Sequence, residues 1–245
     1  MARLAGCFVT GTDTEVGKTR VSTGLLHWAA RQGWRSAGCK PVAAGTTWLA
    51  GAQVNEDVRA LRDAGSVALT DAEVGPLQFA APCAPHIAAR LEGASIEVGR
   101  LVGHVHGLAA RAELIVVEGV GGFCVPFGPD SDSADLAVAL GLPVVLVVGL
   151  RLGCLSHALL TAEAVRARGL VLAGWVANRI DAGMAHADDN LAALHHEFGR
   201  RHRAPCLGIV PWLAQADPAL VAAHLNGTLL RERLRLSPPF RQDAP

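Results

Sequence analysis

The amino-acid sequence predicts an α/β fold in which a mostly parallel, open sheet is covered by helices on both faces. Apolar runs of strand length alternate along the chain with segments of helical periodicity, and this order is typical of parallel strands joined by helical crossovers. The composition agrees with such a fold. Of 245 residues, 51% are hydrophobic and 18% are charged, which suits a chain that buries a core between helices and sheet.

The elements follow from these patterns in chain order. Strands are predicted at residues 4–10, 36–42, 114–118, 144–148, 171–177 and 206–210. Helices are predicted at residues 18–31, 96–111, 155–168 and 187–203, and a further helix at 218–235. Residues 46–95 are rich in turn residues and predict loops and short helices. We expect a single domain over residues 1–235 and a flexible tail at 236–245.

Charge and hydropathy exclude several classes of protein. The 22 basic and 22 acidic residues balance, so the chain lacks the positive field of a nucleic-acid-binding protein. The uncharged stretch at 136–150 contains Pro143 and is too short for a membrane span. The N-terminus carries no pattern of a secretory signal, and the six cysteines form no C-x-x-C pair that would indicate a disulfide framework or zinc site. We therefore expect a cytoplasmic protein that binds neither nucleic acid nor membrane.

A glycine-rich loop is the strongest functional signal. The segment Gly11-Thr-Asp-Thr-Glu-Val-Gly17-Lys18-Thr19 lies between a predicted strand and a predicted helix. In such a loop, backbone N–H groups surround phosphates, the lysine reaches the β- and γ-phosphates and the threonine hydroxyl binds Mg²⁺. The spacing is one residue longer than the general pattern G-x-x-x-x-G-K-[ST], and an incidental glycine turn is the alternative. The motif makes the predicted fold P-loop NTPase-like.

Acidic residues elsewhere could complete a metal site. Glu118 ends a buried strand and precedes a glycine-rich turn, so it is a better candidate than Glu113, which precedes that strand. Asp57 is a second possible ligand, although its spacing alone favours an acid at a helix cap. Of the 22 basic residues only Lys18 and Lys40 are lysines, and both lie in motif-like segments. This placement suggests that a compact ammonium is required at both positions.

Seven segments together resemble the dethiobiotin synthetase family, in order, across roughly residues 4–213. They begin at Val9, Gly38, Pro82, Val116, Leu152, Ala173 and Val210, and read VTGTDTEVGKT, GCKPVA, PCAPHI, VVEGVGG, LGCLSH, AGWVAN and VPWL. The long first loop is similar to the version found in that family. The resemblance implies a reaction of 7,8-diaminononanoate, CO₂ and Mg-ATP that gives dethiobiotin, ADP and phosphate. It also implies a homodimer in which the carboxylate end of the substrate lies near the partner subunit.

The resemblance also implies a role for each matching residue. ATP would be held by Gly11, Thr12, Asp13, Thr14, Glu15, Val16, Gly17, Lys18 and Thr19, and its adenine bordered by Asn178, Pro211, Trp212 and Leu213. Thr19, Asp57 and Glu118 would hold Mg²⁺, while Lys18 and Lys40 would be catalytic. Lys40, Ala44, Gly153, Cys154 and Ser156 would contact the substrate. Two departures affect substrate affinity: Ala44 replaces a serine found in some members, and the chain has no tyrosine to bind the substrate carboxylate.

Two other functions remain open at this point. A partition or switch ATPase of the same broad fold would carry a signature lysine five residues before the catalytic one, where this chain has Asp13. A GTPase is suggested by Asn178-Arg-Ile-Asp181, which imitates the Asn-Lys-x-Asp guanine motif with arginine in place of lysine. A turn at the end of a strand would explain the same four residues.

Overall fold

A computed structural model describes residues 4–49, 51–215 and 217–239. In chain order, the strands of these residues are β1 (Gly6–Gly11), β2 (Ser36–Cys39), β3 (Val42–Ala44), β4 (Thr47–Leu49), β5 (Ala52–Val54), β6 (Leu77–Phe79), β7 (Leu114–Glu118), β8 (Val144–Gly149), β9 (Leu172–Asn178) and β10 (Cys206–Val210). The helices are α1 (Lys18–Arg31), α2 (Glu56–Ala64), α3 (Asp71–Val74), α4 (Pro85–Leu91), α5 (Val98–Ala109), α6 (Ser133–Leu140), α7 (Cys154–Ala167), α8 (Ala187–His202), α9 (Pro218–Ala223) and α10 (Gly227–Arg233).

The central sheet has six strands in the order β10-β9-β8-β1-β7-β2, and every neighbouring pair is parallel. Successive side chains of β1 point to opposite faces, because Cys7 and Val9 belong to one hydrophobic core and Phe8 to the other. Helices α1, α2, α9 and α10 contribute to the first core, and α5, α6, α7 and α8 to the second. The predicted fold class, a parallel open sheet covered on both faces, is confirmed.

All six strands end at the same edge of the sheet, because they are parallel. Gly11 closes β1, Glu118 closes β7 and Asn178 closes β9, while Lys40 follows β2 directly. Ligands of open α/β sheets bind at this carboxyl edge. The fold therefore gathers residues that are far apart in the sequence.

The prediction of one strand over residues 36–42 is wrong at its C-terminal end, because the strand of the central sheet ends at residue 39. The central strand β2 stops at Cys39, and β3 pairs with β6 in a separate two-stranded sheet. Pro41 has no N–H to donate, and the backbone N–H of Lys40 donates to the carbonyl of Val74 (2.8 Å) instead of to a strand of the central sheet. The chain leaves the sheet at Lys40 for this reason.

The helix predicted at 218–235 is also wrong, because it is two helices, α9 and α10. Asn226 accepts from the N–H of Leu229 (3.1 Å) and so caps a new helix, and Leu225 forms a β-bridge with Gly208. The apolar spacing of the two short helices resembles that of one long helix, which explains the error. The other predicted helices are present with ends shifted by at most two residues.

Two further segments differ from the predictions. Residues 46–95 contain the expected short helices, but also a hairpin of β4 and β5 and the strand β6, all too short to show a clear period. Helix α6 was not predicted, although its capping box was readable: Asp132 accepts from the N–H of Asp135, and Asp135 accepts from the N–H of Asp132. The uncharged stretch at 136–150 therefore divides between α6 and β8. No helix within the described ranges is long and apolar enough to span a membrane.

The predicted tail lies only partly within the structure, since residues 240–245 fall outside the described part of the chain. Before that point the tail contacts the domain, because Trp34 Nε1 donates to the carbonyl of Ser237 (3.1 Å). The domain boundary at residue 235 stays a prediction. The cysteines are free thiols, as expected from their spacing.

Candidate active site

The glycine-rich loop joins β1 to α1 as predicted. Gly17, directly before the helix, has a φ of 89°, and a Cβ there would come within 2.1 Å of Asn178 Nδ2. Both the backbone conformation and the lack of space therefore require glycine at this position. No side chain caps α1, and no acidic residue lies in its first turn. The N–H groups and positive dipole end of this helix are thus available to an anion.

The Lys18 side chain folds back over its own loop. Its Nζ donates to the main-chain carbonyl of Asp13 (2.9 Å), and only 6% of the residue is exposed. Burial lowers the pKa of Lys18 to about 8, because desolvation disfavours the charged form more than the carboxylates of Glu118 and Asp57 favour it. A buried ammonium with a single neutral acceptor can be drawn to phosphate oxygens.

Two carboxylates compete for one hydroxyl beside this loop. Thr19 Oγ1 lies 2.7 Å from Asp57 Oδ1 and 2.8 Å from Glu118 Oε1, but a hydroxyl has one proton to donate. Glu118 is fully buried, and its Oε2 has no hydrogen-bond partner among the described residues. Two carboxylates, one of them with an unsatisfied oxygen, and a hydroxyl are a donor set that suits Mg²⁺, which takes oxygen ligands and completes its shell with phosphates and water.

This donor set could not have been found as a carboxylate cluster. Within the described residues, no group of three or more His, Cys, Asp and Glu side chains could hold a metal ion. The candidate site has only two carboxylates, and its third oxygen comes from Thr19. Asp57 reaches it because Asn55 caps α2 by accepting from the N–H groups of Asp57 and Val58. Asn55 thus performs the capping role that spacing alone had suggested for Asp57.

Lys40 forms ion pairs with the same two carboxylates, those of Asp57 and Glu118. Its Nζ forms ion pairs with Glu118 Oε1 (2.9 Å) and Asp57 Oδ2, and 5% of the residue is exposed. Burial by itself would lower the pKa of Lys40, but the two carboxylates outweigh burial and raise it. The pKa of Asp57 is lowered because Lys40 and Thr19 outweigh the effect of desolvation. Lys40 is therefore held as a buried cation next to the phosphate loop.

A cavity of about 850 Å³ opens over these groups. Its walls include Lys18, Lys40, Asp57 and Ala44, and a position on the wall is compatible with the predicted assignment of Ala44 to the substrate. Residues not assigned to the site from sequence complete the walls: Pro82, Cys83, Ala84, Pro85, Val120, Gly121, Gly122 and Val125. All of them except Val125 lie in the motifs PCAPHI and VVEGVGG, which the resemblance to the family had already singled out. The size is typical of small-molecule sites.

One of the predicted adenine residues, Asn178, contacts the phosphate loop. Asn178 is buried and donates from Nδ2 to the carbonyl of Val16 (2.9 Å), so it supports the loop from within the fold, and its Oδ1 has no partner among the described residues. Pro211, Trp212 and Leu213 follow β10, and Arg20 Nη2 donates to the carbonyl of Leu213 (3.3 Å). Contact of these residues with adenine stays a prediction.

The remaining predicted substrate residues do not line this cavity. Gly153, with a φ of 91°, and Cys154 begin α7, where Cys154 is buried. Ser156 is exposed on the outer face of that helix. Within one chain, residues 153–156 are therefore not among those that line the cavity with Lys40 and Ala44.

The turn after β9 carries the four residues that imitate the guanine motif. Asn178 bonds to the phosphate loop, and Asp181 Oδ1 accepts from the N–H of Gly183 (2.8 Å) in an exposed turn. This geometry agrees with a turn at the end of a strand.

The fold and the loop define a protein of the P-loop nucleotide-binding class. Two solved structures share this fold. The MinC:MinD cell division protein complex of Aquifex aeolicus has a TM-score of 0.53 and 13% sequence identity, and the match covers 98% of this chain and 99% of that one. A ParA family ATPase of Chlorobium tepidum has a TM-score of 0.51 and 11% identity, and the match covers 94% of this chain and 93% of that one. At such identities the likeness shows the fold alone.

Sequence comparison is more specific. A family model described as an AAA domain matches residues 5–219. An ATP-dependent dethiobiotin synthetase, BioD, of Aromatoleum aromaticum is 56% identical over 219 residues, which cover 89% of this chain and 96% of the relative. The chain belongs to the ATP-dependent dethiobiotin synthetase family, whose members are ATP-using ligases of biotin biosynthesis.

Proposed function

We propose that this protein converts 7,8-diaminononanoate, CO₂ and ATP to dethiobiotin, ADP and phosphate in the cytoplasm. One observation carries the proposal: Lys40 is buried, paired with Glu118 and Asp57, and faces the same cavity as the phosphate loop and Ala44. This chemistry needs positioned cations more than a protein nucleophile, because the transferred phosphoryl group spreads its charge over several oxygens.

The first step forms a carbamate. An amine of the substrate uses its lone pair to form an N–C bond to CO₂, one C=O π bond breaks with its electron pair moving to oxygen, and the amine releases a proton to water. The product carries a carboxylate-like charge, and Lys40, which lines the cavity, is the cation proposed to pair with it. Because the ammonium is compact and can pair with either anion, Lys40 can exchange a protein carboxylate for the carbamate.

Phosphoryl transfer follows in the same cavity. A carbamate oxygen attacks the γ-phosphorus, the bond to the β-γ bridging oxygen breaks, and ADP leaves with that electron pair. Lys18 moves from the Asp13 carbonyl to the phosphates, and α1 directs its N–H groups at them. Mg²⁺, held by Thr19, Asp57 and Glu118, would neutralise phosphate charge when bound. The second amine then attacks the carbonyl carbon, closes the ureido ring and expels phosphate.

We further propose that a second copy of the chain brings residues 153–156 to the substrate. Ser156 and Leu160 lie one turn apart on the outer face of α7, and Leu160 is 66% exposed. Leu152, just before the helix, is 95% exposed. Exposed apolar side chains beside predicted substrate residues support a homodimer that completes the site.

The direct test supplies the purified protein with Mg-ATP and bicarbonate and follows phosphate release and dethiobiotin formation, with and without 7,8-diaminononanoate. Stoichiometric product and phosphate that depend on the diamine are expected. Nucleotide hydrolysis that ignores the diamine would reject the proposal and favour a switch ATPase. Parallel reactions with GTP would show whether the protein selects adenine.

A further inference from the structure

Asp13 places a carboxylate in the loop that is proposed to hold the triphosphate. It lines the cavity together with Lys18, and about half of its side chain is exposed. Its Oδ1 accepts from the N–H of Thr14 (2.8 Å), and its main-chain oxygen accepts from Lys18 (2.9 Å). The loop conformation therefore depends on Asp13, but a free negative charge at this position would repel phosphate oxygens.

Arg151 removes that conflict. Its guanidinium forms an ion pair with Asp13 Oδ2 from the turn that follows β8, far away in sequence. The main-chain oxygen of the same residue accepts from the N–H of Cys154 (3.0 Å), at the start of α7. Arg151 thus contacts the phosphate loop with its side chain and the predicted substrate segment with its backbone.

We propose that Arg151 is a positioning residue for ATP, which neutralises Asp13 and holds it in the orientation that sets the phosphate loop. This inference rests on the proposed function. The contact joins one Nη to one Oδ, so it needs a charge more than the fork geometry of a guanidinium. Half-exposed ion pairs contribute little to folding stability, and Arg151 variants are therefore expected to fold.

The experiment measures the Kd of Mg-ATP for the full chain by calorimetry. Arg151→Gln is expected to raise Kd about tenfold, as one uncompensated charge near the phosphates predicts. Arg151→Lys should stay within about twofold of the parent, since it keeps the charge. In the double variant Asp13→Asn/Arg151→Gln, Kd should return to within about threefold of the parent value. Asparagine keeps an oxygen that accepts from the N–H of Thr14 but removes the negative charge. Arg168→Gln is the matched control, since Arg168 is similarly exposed and pairs with Asp132 and Asp135 outside the cavity.

Salt separates charge neutralisation from a merely structural role. Higher ionic strength should shrink the ratio of Kd values between Arg151→Gln and the parent, because it screens the exposed Asp13 charge. An unchanged Kd in Arg151→Gln, or a double variant that binds no better than the single one, would overturn the inference. Dethiobiotin formation by the parent tests the proposed function, whereas the Kd ratios test Arg151, so the two can fail separately.

Discussion

Two regions of the molecule carry residues predicted from short motifs, and the fold treats them differently. Around the phosphate loop, Thr19, Lys40 and Glu118 come from three separate segments and meet within hydrogen-bond distance. Residues 153–156, predicted for the substrate, lie at the start of α7 and do not line the cavity. The buried charges of the first region are paired with one another within the chain, because an unpaired ion in the interior would be strongly destabilising. An exposed segment such as 153–156 leaves no buried charge unpaired in the single chain, so a second subunit could complete it.

The largest expected effect comes from the lysines of the buried region. Lys18→Arg and Lys40→Arg should each lower kcat about 1000-fold, because a guanidinium cannot occupy the space of a buried ammonium and charge stabilisation at the phosphoryl group is lost. Dethiobiotin formation measures the effect, and circular dichroism checks the fold. Near-normal turnover in both variants would show that lysine identity is irrelevant.

Glu118→Gln removes the buried negative charge from the same region. We expect activity to fall about 100-fold and the Mg²⁺ concentration for half-maximal rate to rise, because the metal loses one charged ligand. The melting temperature should also fall, since Lys40 loses a buried partner. Glu113→Gln, at the opposite end of β7 where Glu113 accepts from the N–H of Arg35, is the control. An unchanged Mg²⁺ requirement in Glu118→Gln would argue against this metal site.

Leu160→Glu tests the exposed region. We expect the variant to be monomeric in light scattering and the KM for 7,8-diaminononanoate to rise about tenfold, with the Kd of Mg-ATP unchanged, because a buried charge disrupts an apolar interface. Val171→Glu changes another exposed apolar residue, which lies beyond the C-terminal end of α7, and should affect neither quantity. A Leu160→Glu monomer with normal KM would mean that each chain has a complete substrate site.

The smallest effect is expected at Ala44, where the two regions would meet on the substrate. Ala44→Ser adds a hydroxyl to the cavity wall and should lower the KM for the diamine about threefold with kcat unchanged, as one added hydrogen bond predicts. Steady-state kinetics with varied diamine measure the change. A rise in KM would indicate that the hydroxyl finds no partner there.

Much of the site was predictable because its residues have local signals. Lys18 and Thr19 follow a glycine loop between a strand and a helix, and Glu118 ends an apolar strand. The chemical role of these residues and their place at the ends of elements could therefore both be predicted from the sequence. Asp57 was ambiguous, since an acid in a first helical turn has a local explanation. Arg151 was not found from sequence at all, because its partner Asp13 is 138 positions away and exposed arginines are common.

The sequence by itself determined the alternation of strands and helices, the phosphate loop and the family, because periodicity and motif spacing are local properties of the chain. Only the tertiary structure decided that Lys40 leaves β2 at Pro41, that one hydroxyl serves two carboxylates, and that Arg151 neutralises Asp13. These depend on the order in which parallel strands pair, which places their carboxyl ends side by side. Long-range pairing follows from packing the whole core, and no short segment encodes it.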